Sequence, residues 1–104
     1  MANGMLDGKE QIKVDFHNRA TSIFFSVYHT FEKTVSNISR RNDEFRFQQL
    51  KRQYAVTLES ELQLIAKDIL ESCKSERQLN DIDQMFHQLI KDYLHRFIQK
   101  INDL

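Results

Sequence analysis

Residues 9–38 read KEQIKVDFHNRATSIFFSVYHTFEKTVSNI, and whether this stretch coils or extends decides the fold. Its apolar positions Ile12, Phe16, Ala20, Ile23, Val27, Phe31, Val35 and Ile38 follow at steps of 4, 4, 3, 4, 4, 4 and 3. That spacing matches the 3.6-residue period of an α-helix and not the two-residue period of a strand. A rival pattern sits inside it: Ile23, Phe25 and Val27 alternate, and Thr21–Phe31 is rich in β-branched and aromatic residues, which suit a pleated surface. No turn residue bounds that inner segment, so the spacing predicts a helix over 9–38.

The same period continues beyond it. A polar junction, Ser39-Arg40-Arg41-Asn42-Asp43-Glu44, closes the first helix with cations and offers Asn42 or Asp43 as a cap for the next. The stripe Phe47, Leu50, Tyr54, Leu58, Leu62, Ile65, Ile69 and Cys73 then predicts a second helix over 43–73. A second junction at 74–81 holds the capping-box pattern Ser75-Glu76-Arg77-Gln78 and, further on, Asn80-Asp81, leaving two possible starts. A third helix over 79–103 carries Ile82, Met85, Phe86, Leu89, Ile90, Tyr93, Leu94, Phe97, Ile98 and Ile101.

Composition agrees. The 104 residues include no proline and only two glycines, at positions 4 and 8, where average usage would supply about five and about seven. Without these punctuators a β-meander or a nucleotide-binding Rossmann fold lacks its turns. The expected fold is all-α: an elongated antiparallel three-helix bundle with coiled-coil-like packing, or four helices if one rod breaks. Residues 1–8 are expected to be a flexible lead-in and 9–104 a single domain.

Charge and cysteine content exclude several functions. Fifteen basic side chains balance fifteen acidic ones, so no bulk attraction to nucleic acid or an anionic membrane is expected. The N-terminus lacks the basic and apolar regions of a secretory signal, and the apolar run Ile23–Tyr28 is far shorter than a membrane span. One cysteine, Cys73, cannot make an internal disulfide and is expected to be buried and inert. A cytoplasmic or nuclear protein is the expectation.

Catalytic and metal chemistry is equally thin. His87 and His95 are eight residues apart and His17 and His29 twelve, not the three or four that place two ligands on one helical face. No glycine is placed to cradle a phosphate. A non-enzymatic chain with no cofactor and no metal follows, its histidines at the surface or boundary. Asp83 with His87 and Asp92 with Arg96 read as surface pairs.

Apolar residues off the main stripes point to association. Val14 and Phe25 project away from the first stripe; Phe45, Val56 and Leu70 lie off the second. The apolar arc of the third helix, from Met85 round to Ile98, spans about 220°, twice the width of an ordinary surface helix. Either the third helix fills the crease between the other two, or the surplus meets a partner. The expected function is a helical protein–protein interaction module, a subunit or adaptor that meets a protein partner or itself through Val14, Phe25, Phe45, Ile90, Leu94 and Ile98. An alternative is a nucleic-acid-associated regulator using Arg40, Arg41, Arg46, Lys51 and Arg52, interleaved with Phe45, Phe47 and Tyr54. A Phe-lined core binding an apolar small molecule is a third option.

Overall fold

A computed structural model describes the backbone of residues 8–38, 43–72 and 76–104, and side chains from Glu10 onward except 39–42 and 73–80. Among the described residues there are three unbroken helices: α1 (Gly8–Val35), α2 (Glu44–Ser72) and α3 (Glu76–Asn102). None splits, so the four-helix variant is not realised. Arg40, Arg41 and Cys73 lie outside the described residues.

The boundaries differ from the sequence expectation by up to three residues, with local causes. α1 ends at Val35 instead of Ile38, and the chain tightens there: Ser36 N–H donates to the Lys33 carbonyl at 3.4 Å and Ile38 N–H to that of Val35 at 3.0 Å. The Ser36 hydroxyl donates to the Lys33 carbonyl at 2.8 Å, occupying an acceptor at the helix end. α2 opens from Asp43, whose carbonyl accepts the Phe47 N–H at 3.1 Å, the N-cap position in the backbone ladder. α3 begins at Glu76, directly after the Ser75 of the capping-box pattern and three residues before the expected start.

Contacts set the direction of each rod. Phe31, late in α1, meets Phe47 and Tyr54 early in α2, with ring centroids 5.7 and 5.4 Å apart. Arg19 in α1 reaches Asp68 late in α2 at 2.7 Å, so α1 and α2 run antiparallel. Lys51 Nζ donates to Asn102 at 3.2 Å, which makes α2 and α3 antiparallel as well. The bundle measures 60 × 25 × 16 Å, with a radius of gyration of 16.8 Å. A compact domain of this length would have about 13 Å. The molecule is an elongated helical bundle.

One core runs its length: Phe16, Phe31, Phe47, Leu58, Leu62, Phe86 and Phe97 are at most 1% exposed. Its chemistry is uneven. α1 and α3 meet through rings: Phe16 lies 4.9 Å from Phe86, and Phe24 lies 6.0 Å from Tyr93 and 5.9 Å from Phe97. α2 brings the smaller Leu58, Leu62 and Ala66 and packs on both neighbours more extensively than they pack on each other. Bulky rings hold α1 and α3 apart, while aliphatic side chains let α2 approach closely.

Candidate interaction surface

Side-chain burial sorts the surplus apolar residues. Ile90 is 7% exposed and belongs to the core; Leu94 and Ile98 are partly buried against it. The wide arc of α3 is thus used inside the bundle, and these three residues are not a free surface. The reason is α3's position: with partners on two sides it needs two apolar flanks. Leu70 is likewise partly buried against the core. On α1 the buried face includes Phe24 and Tyr28, while Ile23 and Val27 are only partly buried. The face is rotated toward α3 from the stripe that the spacing suggests, because the rings of α3 stand on that side.

Among the described residues, six large apolar side chains remain exposed: Val14 at 40%, Phe25 at 45%, Phe45 at 80%, Val56 and Leu64 at 60%, and Leu104 at 41%. Three of these, Phe45, Val56 and Leu64, stand on α2, within about 100° of one another around its axis at 100° per residue. Leu64 escapes the sequence stripes because it lies between Leu62 and Ile65, which carry the stripe, and reads as part of the same apolar run. A usable signal was present: it lies eight residues from Val56, so the two share a face. The exposed residues between Arg52 and Lys67 are Gln53, Val56, Thr57, Ser60, Gln63 and Leu64, and none carries a charge. Glu59 and Glu61 fall between them in sequence but point about 100° to either side of Ser60 and are partly buried.

On α1, Phe25 packs edge-on against Phe24, with centroids 5.4 Å apart and planes at 86°. It lines a cleft of about 260 Å³ with Thr21, Phe24, Tyr93 and Arg96. Beside this cleft, His17 Nδ1 lies 2.7 Å from the Tyr93 hydroxyl, which is 3.5 Å from the Thr21 hydroxyl. Burial, together with Lys13 and Arg96, holds the His17 pKa below the ordinary imidazole value. The Arg96 guanidinium lies 5.8 Å from the Tyr93 ring centroid.

Among the described residues, the basic segment does not assemble into a face. Arg46, Lys51 and Arg52 point about 100–140° apart around α2, and Lys51 is tied to Asn102. Phe47 is 1% exposed and the Tyr54 hydroxyl is 2.9 Å from that of Thr34, so of the interleaved aromatics only Phe45 offers an open ring.

The other histidines sit at the surface. His87 lies 3.4 Å from Asp83, the pair expected from their spacing, and His29 lies 3.6 Å from Glu32. Arg96 stacks on Tyr93, while Asp92 accepts from Gln88 at 3.1 Å. Among the described residues, no three His, Cys, Asp or Glu side chains are grouped to hold a metal, and no helix is long and apolar enough to cross a membrane. The chain matches no known family model, no curated protein sequence and no solved structure.

Proposed function

We propose that the chain is a non-enzymatic helical interaction module whose contact surface is the outward face of α2. One observation carries this: Phe45, Val56 and Leu64 are at least 60% exposed on that face, and its middle is uncharged. Water-facing helical surfaces are ordinarily studded with charge. Depletion of charge around exposed apolar anchors is the composition of the centre of a protein interface. Phe25 and Val14 on α1 add a second, smaller apolar area.

The test compares proteins co-purified with the tagged full chain and with a Phe45→Glu/Val56→Glu/Leu64→Glu variant, a second, differently tagged copy of the chain included among the candidates. A partner retained by the native chain and lost by the folded variant supports the proposal. Identical partner sets for the two chains overturn it.

A further inference from the structure

The outward face of α2 has a spacing that matches its own reverse. We infer that this face pairs with α2 of a second copy of the chain, antiparallel, about a two-fold axis at Ser60; the inference rests on the interaction reading above and names its partner. Val56, Ser60 and Leu64 stand at i, i+4 and i+8, stacked along one side of the helix. A two-fold interface brings residue i against j and j against i. Centred on Ser60, Val56 faces Leu64 of the partner and Leu64 faces the partner's Val56. Apolar groups meet on both sides of the axis.

The polar residues fit the same register. Thr57 faces Gln63, Gln53 faces Lys67 and Gln49 faces Glu71, each pair summing to the same register number. Every charged side chain in this row therefore opposes an amide, which can accept from an ammonium or donate to a carboxylate. The parallel arrangement would instead stack Lys67 on Lys67 and Glu71 on Glu71, which like-charge repulsion disfavours. At the axis, the small Ser60 side chains let the two helices approach closely, as the association of two long rods requires. The flanking Glu59 and Glu61 are partly buried in their own bundle and stay out of the facing row. A partner of unlike sequence would find no charge in the middle of this face to select it, whereas a second copy pairs the row from Gln49 to Glu71 and leaves Phe45 outside the contact.

The experiment is sedimentation of the full chain across concentration, with site-directed cross-linking. The native chain should dimerise reversibly, and Val56→Glu/Leu64→Glu should weaken the dimer by about tenfold or more while keeping its helical circular dichroism. In a Cys73→Ser background, Ser60→Cys should cross-link to itself under mild oxidation faster than Val56→Cys alone. Val56→Cys mixed with Leu64→Cys should cross-link between the two variants. A chain that stays monomeric at about 100 μM, a dimer indifferent to the double substitution, or Ser60→Cys that cross-links no faster than Val56→Cys overturns the pairing. If the chain is monomeric yet loses another protein through the Glu substitutions, the pairing fails and the interaction reading stands.

Discussion

The Tyr93 hydroxyl and His17 Nδ1, 76 residues apart in sequence, lie 2.7 Å apart across the seam between α1 and α3. Together with the 3.5 Å approach of the Thr21 and Tyr93 hydroxyls, it adds directional contacts to a seam of ring packing and pins the axial register of the two parallel rods. Tyr93→Phe keeps the ring and removes the bond. It should cost about 0.5–1.5 kcal/mol, the net value of a hydrogen bond. Chemical denaturation of Tyr93→Phe, His17→Gln and the double variant should give a coupling of at least about 0.5 kcal/mol. Strictly additive losses would mean the two groups do not act on each other.

The same histidine makes stability depend on pH with a definite sign. Burial first, then Lys13 and Arg96, lower the folded-state pKa of His17 from the ordinary value of 6.5. The unfolded chain therefore binds the proton more readily, and its stability contribution is present above about pH 6.5 and lost as pH falls through the folded value. Melting temperature should decline on acidification below about pH 6.5, and His17→Gln should remove part of that decline. An NMR titration of the His17 ring should place its midpoint under 6.5. A midpoint at or above that value contradicts the assignment.

Phe97 touches the rings of Phe24, Tyr28 and Phe31 with centroids 5.9, 6.5 and 6.3 Å away, and it is fully buried. Phe97→Ala should cost about 3–5 kcal/mol, by lost burial and by the cavity left among rings too rigid to collapse into it. Leu58→Ala, in the fully buried aliphatic part of the core, should cost about 2–5 kcal/mol. Urea denaturation measures both; a loss under about 1 kcal/mol at either position would place that side chain outside the core.

Phe25 shows the opposite balance. At 45% exposure it rests on Phe24 and stacks beside His29 with centroids 6.3 Å apart, but it plugs no buried gap. Phe25→Glu should leave helical circular dichroism unchanged and cost about 1 kcal/mol or less. Global unfolding would show that its contact with Phe24 belongs to the core.

Much of the fold was legible because its signals are local. The 3–4 spacing from Ile12 to Ile38 and the two polar junctions marked three rods, with ends misplaced by at most three residues. At the end of α1 the error arose where Ser36 settles the helix end through hydrogen bonds that periodicity does not register; at the start of α3 the sequence had offered two caps and the helix takes the earlier one. The candidate surface was partly legible: Val14, Phe25, Phe45 and Val56 departed from their stripes and are exposed. Ile90, Leu94 and Ile98 could not be sorted in the same way, because a wide apolar arc looks alike whether a neighbouring helix or a partner covers it.

By itself, then, the chain's sequence determined that it coils, where it turns and which residues are too apolar to be left wholly in water. A helical period and a lack of glycine and proline are properties of neighbours along the chain, so no tertiary contact is needed to establish them. Only the tertiary structure decided which apolar faces are already satisfied. Large rings between α1 and α3 rotated the buried face of α1 toward Phe24 and Tyr28 and brought His17 to Tyr93, while Ile90 is buried on the side of α3 that meets Ala66 and Leu70 of α2. The outward side of α2 was left as the uncharged face with apolar anchors. Burial depends on where the other rods lie, and that is set by side-chain volume summed across the whole bundle.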